Sequence, residues 1–263
     1  MTPSPALPSG LRRDTLLNLA GQLLPLAVAV AAVPATTAGL GVERFGVLAL
    51  AWTVLGSFNV FDLALGRAVT RFAAEALAQD EPERLPGLLW SATGLQAALG
   101  IVAAAAFAAA SPLLAGAVLQ APPPLADEIR RTFLILALSF PVTLVTGCFR
   151  SLLEAAGRFD LVNLVRAPAG AATFAIPWLG AAAGWDLPAI IGLLVLTRAL
   201  VLVVHWRLCR RALPVLVAAR AWPAREPLAR LARFGGWITA SNVIPPLLTL
   251  VERFLLGALV SLA

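Results

Sequence analysis

Apolar residues fall into seven long stretches along the chain, and short polar segments separate them. The stretches cover residues 15–37, 45–66, 88–119, 131–149, 161–183, 187–205 and 235–259. A helix needs about 20 mostly apolar residues to cross the hydrocarbon layer of a membrane. The pattern therefore predicts seven membrane-spanning helices. The third stretch is longer than a span requires, and Pro112 is expected to break it and leave a short interfacial turn.

The composition favours a surface that faces lipid. Hydrophobic residues make up 60% of the 263 residues and charged residues only 13%, with a mean hydropathy of +0.87. A soluble domain carries about a quarter of charged residues, so the composition excludes a soluble globular protein. The first stretch is also too long for the apolar part of a cleaved signal peptide. The predicted fold class is an all-α membrane protein.

The arginines indicate how the helices are oriented. All 20 basic residues are arginine, and the formal net charge is +6. If the N-terminus is cytoplasmic, the outer loops receive only Arg44, Arg130 and Arg131. The cytoplasmic side receives Arg12, Arg13, Arg67, Arg71, Arg84, Arg150, Arg158 and the arginines of the polar segment 207–233. Cytoplasmic loops are enriched in arginine, so the N-terminus is expected inside, and the basic balance is not interpreted as a nucleic-acid site.

The polar segment divides the chain. Residues 1–206 are expected to form a six-helix transmembrane lobe, 207–233 a basic linker on the cytoplasmic surface, and 234–263 the first helix of an incomplete second lobe. The first and seventh stretches are similar in one respect. Gln22 and Asn242 each stand three residues before a proline, Pro25 and Pro245 respectively. Repeated halves are common in transporters.

Ionisable side chains within the apolar stretches carry most of the functional information, because each costs about 2.5–3.5 kcal/mol at a helix centre on insertion scales. They are Asp62, Arg166, Arg198, Glu252 and Arg253. Positive charge exceeds negative charge in this set. Arginine binds diphosphate well through its planar fork of donors. We therefore expect Arg166, Arg198 and Arg253 to form a cationic, substrate-binding cavity.

A second group of residues is expected to line the cavity or to act as hinges. These residues are Asn18, Gln22, Pro25, Asp62, Asn242 and Pro245. Structural roles remain open for several of them, since Asp62 could pair with Arg67 or Arg71 and the amides could bond between helices. Arg166 could also extend its side chain to the cytoplasmic face, and Glu252 and Arg253 could neutralise each other.

Catalytic patterns are missing from the sequence. His205, the one histidine, stands at the inner end of the sixth stretch and is interpreted as an interfacial residue. The sequence has no metal-ligand cluster, no phosphate-binding glycine loop and no serine–histidine pair. Cys148 and Cys209 are both expected near the cytoplasmic face, where a disulfide is not favoured. We therefore predict no enzyme activity, no cofactor and no metal.

Four motifs in register resemble the Wzx-type polysaccharide biosynthesis proteins, which belong to the multidrug/oligosaccharidyl-lipid/polysaccharide exporter superfamily. They are GVERFGVLA at 41–49, FDLALGRAVTRFAAE at 61–75, LLEAAGRFDLVNLVR at 152–166 and RFGGWITASNVIP at 233–245. Ala64 departs from the second motif, where a glycine is frequent in the family.

The resemblance implies a flippase with two six-helix lobes in the bacterial inner membrane. Such a protein would translocate an undecaprenyl-diphosphate-linked oligosaccharide for O-antigen, capsule or exopolysaccharide assembly. It would contact membrane lipids, with H⁺ or Na⁺ as a coupling ion and a polymerase or glycosyltransferase as partner. Relative to that plan we expect the chain to be C-terminally truncated. The alternatives are a drug or cation antiporter of the same superfamily and a membrane enzyme of polysaccharide assembly.

Overall fold

The structure, a computed structural model, describes residues 9–118 and 122–218; for residues 9–22, 57–64, 117–118, 123–124 and 217–218 it describes the backbone. The described ranges contain helices and no strand. The helices are α1 (Ser9–Leu40), α2 (Val42–Ala78), α3 (Arg84–Leu113), α4 (Pro123–Ala137), α5 (Ser139–Ala155), α6 (Phe159–Ala182), α7 (Leu187–Ala212) and α8 (Val215–Ala218). The predicted linker beyond residue 218 and the seventh span lie outside the described residues.

The all-α membrane fold predicted from the sequence is confirmed. Helices α4 and α5 form one bent rod, so six long rods make up the described bundle and correspond to the first six apolar stretches. Within the described residues, four segments are long and apolar enough to cross a membrane, namely Leu23–Leu40, Arg84–Gly116, Leu125–Ala155 and Leu187–Ala212.

Helix α2 extends past the apolar stretch that predicted it, from residue 66 to Ala78. The extension holds five alanines, two arginines and one glutamate, all residues of high helix propensity, and Ala68 and Ala73 are buried in the bundle. Arg71 and Glu75 add an ion pair of 2.9 Å across one turn. The apolar stretch indicates only the part of a helix that lies in lipid, and α2 continues beyond the end of that stretch.

Pro112 does not break the third rod, so that prediction was wrong. Helix α3 continues through Pro112 to Leu113 and then passes into a π-helical turn, Leu114–Val118. Proline has no N–H to donate to the carbonyl four residues earlier, which here belongs to Ala108. The Ser111 hydroxyl donates to that carbonyl at 2.8 Å. The proline therefore changes the hydrogen-bond register of the helix and does not end it.

The fourth rod bends at Leu138, and α3 crosses it at the bend. Pro141 has no N–H for the carbonyl four residues before it, while the Leu138 N–H bonds to the Ile135 carbonyl at 3.1 Å. Gly100 of α3 lies directly against Pro141. A methyl group on Gly100 would overlap the Pro141 Cα and lie 2.8 Å from its nitrogen. Only glycine allows the two backbones to approach this closely.

The bundle has two apolar cores, one at each end. The first lies at the end where Glu128 stands, which we call the Glu128 end, and includes Leu48, Ile129, Phe140 and Ile190. The second lies at the opposite end, which we call the Arg158 end. It joins the C-terminal parts of α2, α5 and α7 to the start of α3, and includes Ala68, Leu85, Leu89, Leu152 and Cys209.

Hydrogen bonds at the Arg158 end reinforce the second core. The Cys209 thiol donates to the Phe149 carbonyl at 3.1 Å, and neither Cys148 nor Cys209 forms a disulfide. In the turn before α6, the Arg158 guanidinium donates to both carboxylate oxygens of Asp160 at 3.0 and 3.1 Å. These hydrogen bonds hold the pKa of Asp160 below its usual range.

Glu128 ties three helices together at its own end. Its carboxylate accepts hydrogen bonds from the Arg44 Nη2 at 2.9 Å and Nε at 3.2 Å. Its other oxygen accepts from the Leu187 N–H, the first of α7, at 3.2 Å. The Glu128 side chain is 15% exposed. The contacts satisfy one of the N–H groups that every helix start leaves open and fix α2, α4 and α7 relative to one another.

Replacing Glu128 by glutamine is expected to lower the stability of the bundle by about 1 kcal/mol, because charge-assisted hydrogen bonds become neutral ones while the shape is kept. Thermal unfolding of the purified protein in detergent measures the change. Glu75→Gln is the matched control, since its ion pair with Arg71 is exposed on a single helix. Equal loss in both variants would contradict the role assigned to Glu128.

Candidate functional site

A cavity of about 530 Å³ lies between α5, α6 and α7. Its lining residues repeat every three or four positions on each helix, so one face of each helix contributes a wall. They are Thr143, Thr146, Gly147, Arg150 and Glu154 on α5, Arg166, Ala169, Gly170 and Thr173 on α6, and Leu194, Thr197, Arg198, Val201 and His205 on α7. Nine of these fourteen residues have polar or charged side chains, whereas the two cores of the bundle consist of apolar residues.

The cavity begins where the first core stops. On α5 the first core reaches Phe140 and the second includes Cys148, while on α7 the first core includes Leu194 and the second Cys209. The lining residues of both helices occupy this interval and the adjoining part of the second core. The site is therefore held between two packed layers and not at a bundle end.

Arg198 and Arg166 face the cavity from neighbouring helices. Arg198 is half-buried, and its Nη1 donates to the Thr143 hydroxyl at 3.3 Å. Arg166 is exposed at the cavity mouth. Among the described residues neither arginine has a carboxylate partner. Both guanidinium groups can therefore bind an anion without first breaking an ion pair with these residues.

Arg150 and Glu154 form an ion pair within the cavity. The Arg150 Nε lies 3.5 Å from a Glu154 carboxylate oxygen, and both side chains are about 30% exposed, at 28% and 31%. The described lining thus holds three arginines and one glutamate, a formal sum of 3 − 1 = +2 without the histidine. The electrostatic potential of such a site attracts anions and repels cations.

His205 is buried, which corrects its interpretation as an interfacial residue. It is 3% exposed, lines the cavity, and holds its Nδ1 at 2.9 Å from the Val201 carbonyl. A carbonyl only accepts, so Nδ1 carries the hydrogen. Its position at the end of an apolar stretch suggested a lipid interface, but α7 continues to Ala212 and the histidine faces inward.

Threonine hydroxyls complete the cavity wall. Those of Thr146, Thr173 and Thr197 donate to carbonyls of their own helices at 2.6, 3.1 and 2.8 Å. This bonding satisfies each hydroxyl within its own helix and leaves the oxygen available as an acceptor. The threonines therefore make the wall polar at little cost to the bundle.

Comparison with known proteins decides the family. The family described as "Polysaccharide biosynthesis protein" matches residues 11–263 of the chain. The chain belongs to the polysaccharide biosynthesis protein family. The resemblance found in the four motifs is thereby confirmed.

Two proteins that carry transporter names match the chain, one by sequence and one by fold. The chain is 23% identical over 245 residues to the "Putative O-antigen transporter" of Shigella flexneri, a match that covers 93% of the chain and 57% of that protein. It also superposes on a MOP superfamily transporter from Pyrococcus furiosus with a TM-score of 0.67 and 16% identity, over 88% of the chain and 52% of that protein. The chain thus spans about half the length of the relatives it matches.

Two of the residues that the sequence predicts to line a cationic cavity, Arg166 and Arg198, line the described cavity together. Their role in substrate binding stays a prediction. Asn18, Gln22 and Asp62 lie on α1 and α2, but their side chains are outside the described set, and Asn242, Pro245 and Arg253 lie beyond the described residues. These assignments stay predictions. Among the described residues no three His, Cys, Asp or Glu side chains approach as metal ligands would.

Pro25 contacts the cavity wall from behind. Helix α1 remains helical through Pro25 and packs against α6, where a methyl group on Gly170 would lie 2.6 Å from the Pro25 Cγ. Gly170 itself lines the cavity. Near the other end of the same helix pair, Gly39 packs against Ala181. The two helices therefore run parallel, and α1 supports the wall that carries Arg166.

Arg150, Glu154 and His205 were missed as site residues. Arg150 was assigned to the cytoplasmic side because it stands just past an apolar stretch, and Glu154 was given no role of its own. A usable signal was present in the spacing of Thr143, Thr146, Arg150 and Glu154, which places polar side chains on one helical face. Such a face inside a membrane bundle has to contact a cavity or a partner.

Proposed function

We propose that the protein translocates a lipid-linked oligosaccharide across the bacterial inner membrane, with its N-terminus in the cytoplasm, as a flippase of cell-surface polysaccharide assembly. The lipid carrier is undecaprenyl diphosphate. The observation that supports this proposal best is the cationic cavity, in which Arg166 and Arg198 lie between two apolar cores.

Charge at this depth needs a functional reason, because an arginine within a membrane bundle is costly unless it is compensated. A diphosphate diester carries two negative charges and offers pairs of oxygens that match the donors of guanidinium. It would balance the described cavity charge of +2. The same charge disfavours a drug or metal cation, and the carboxylate of Glu154 is held by Arg150. The geometry therefore supports an anion carrier over a cation antiporter.

The described bundle supplies one side of the proposed pathway. Arg253, Asn242 and Pro245 would add a second cationic and polar wall, with Asn18, Gln22 and Asp62 as further polar lining. H⁺ or Na⁺ would serve as the coupling ion, and a polymerase or glycosyltransferase would act on the same lipid-linked substrate. The name of the Shigella flexneri relative, an O-antigen transporter, supports this assignment.

Deleting the gene in its source strain is expected to remove the surface polysaccharide and to leave complete lipid-linked oligosaccharide units in the inner membrane, because synthesis continues while translocation stops. Mass spectrometry of lipid extracts measures the accumulated unit, and re-expression of the gene is the control.

Three results would contradict the proposal. Normal surface polysaccharide in the deletion strain would exclude an essential translocation step. Accumulation of an incomplete sugar unit would instead indicate a membrane enzyme of assembly, since the block would precede the finished substrate. A change in drug susceptibility with normal polysaccharide would favour the cation antiporter.

A further inference from the structure

His205 is a buried titratable group that the proposed function does not use. Among the described residues, the charged groups facing it across the cavity are Arg150 and Glu154 on α5, Arg166 on α6 and Arg198 on its own helix. Helix α4 also packs on α7, but its charges lie at the Glu128 end, and α8 carries none.

The protonation of the ring follows from its contacts. Because Nδ1 donates to the Val201 carbonyl, the neutral ring has a bare lone pair on Nε2. That nitrogen is buried and has no hydrogen-bond partner among the described residues. A buried polar atom left in this state is costly, and here it is also the atom that would take up a proton.

Cavity charge decides whether the proton is taken up. With the cavity empty, protonation would raise the described charge from +2 to +3 in surroundings of low dielectric, which is unfavourable. With a diphosphate diester bound, protonation of His205 raises the summed charge of cavity and anion only from 0 to +1. It also gives the anion a further hydrogen-bond donor nearby. Anion binding and proton binding therefore strengthen each other, and the coupling is reciprocal.

We propose that His205 is a further anion-binding residue, which takes a proton from solvent when a diphosphate enters the cavity and releases it when the anion leaves. The step breaks no covalent bond of the substrate. It rests on the proposed function, because it requires an anionic substrate in this cavity. It makes the affinity of the carrier for its substrate depend on pH.

The test uses a short-chain polyprenyl diphospho-hexose as probe. A diester lacks the second phosphate ionisation near pH 6, so its own charge stays constant across the titration. Binding to the purified protein is measured between about pH 6 and pH 8, around the ordinary histidine value of about 6.5. Affinity is expected to fall as the pH rises, by up to about tenfold per pH unit, the limit for one linked proton.

Substitutions separate the roles of the cavity residues. His205→Gln is expected to flatten the pH profile, since the neutral amide cannot take up a proton. Glu154→Gln is expected to keep the slope. Arg166→Ala is expected to weaken binding at every pH and also to keep the slope, which separates anion binding from proton linkage.

A direct readout does not depend on any variant. His205 is the one histidine in the 263 residues, so selective ¹⁵N-histidine labelling reports its protonation and tautomer by NMR in nanodiscs. The ring is expected to be neutral with hydrogen on Nδ1 when the cavity is empty, and to become imidazolium when the diester is added at the same pH.

The outcomes are distinguishable. The assignment is overturned if the His205 ring stays neutral with the diester bound. It is also overturned if the affinity of His205→Gln still depends on pH. If the pH dependence of the affinity is lost only in Glu154→Gln, the linked proton belongs to the Glu154 carboxylate, and the assignment to His205 is overturned. Arg166-dependent binding with no pH slope rejects the linkage and leaves the proposed function standing. The absence of diester binding at any pH rejects both.

Discussion

Replacing Arg198 by alanine is expected to reduce export of the surface polysaccharide by roughly tenfold to a hundredfold. A charge-assisted hydrogen bond contributes about 1.5–3 kcal/mol, and each 1.4 kcal/mol corresponds to a factor of ten. The substitution removes the guanidinium that faces the cavity beside Thr143. Because Arg198 has no carboxylate partner among the described residues, its removal leaves no buried acid behind and the fold is expected to persist. Quantitative immunoblotting of cell-surface polysaccharide, normalised to protein level, measures the effect.

Arg84→Ala is the matched control for Arg198→Ala. It removes the same charge from an exposed position at the start of α3, where Arg84 pairs with Glu81 at 2.7 Å. Export is expected to stay within about twofold of the wild type, as is usual for an exposed ion pair. Arg198→Lys should give an intermediate result, because lysine keeps the charge but not the fork of donors. Full export by Arg198→Ala would remove Arg198 from the mechanism.

The Gly100→Ala substitution is expected to destabilise the bundle by about 1–3 kcal/mol, the usual cost of overpacking a filled core. Its methyl group would overlap the backbone of Pro141 at the bend of the fourth rod. Backbone atoms cannot move aside as the end of a flexible side chain can, so α3 would have to separate from α5. The thermal unfolding midpoint in detergent is expected to fall accordingly.

Gly94→Ala provides the internal comparison for Gly100→Ala. Gly94 lies on the same helix, and a methyl group there would meet nothing within 4 Å. Alanine favours helix over glycine by roughly 1 kcal/mol, so stability should be unchanged or slightly higher. Similar destabilisation by both substitutions would indicate that α3 does not tolerate alanine for glycine in general. The close crossing at Pro141 would then not be the cause.

The helices were predictable from the sequence because an apolar run of membrane length permits few other structures. Their bends were not. Whether Pro112 ends a helix depends on a substitute donor for one carbonyl, here the Ser111 hydroxyl. Pro141 permits the bend at Leu138, but its close fit against Gly100, about forty positions away in the sequence, leaves no local pattern.

The site was predictable where a charge lay deep within an apolar stretch, as for Arg166 and Arg198. It was not predictable where a polar residue stood near the end of a stretch. Position along the chain gives the depth of such a residue only approximately and does not indicate which way its side chain faces. For His205 that direction is set by the packing of α7 on α5 and α6, and it changes an interfacial residue into a buried one.

The two-core arrangement has a mechanical consequence. Apolar packing stiffens both ends of the bundle, whereas the level between them holds a cavity, small side chains and the helix-weakening residues Gly147, Pro168 and Gly170. Bending α5, α6 and α7 at this level would narrow or widen the cavity without repacking either core. The lobe thus consists of two stiff ends joined by a more flexible level, and Arg166 and Arg198 are held at that level.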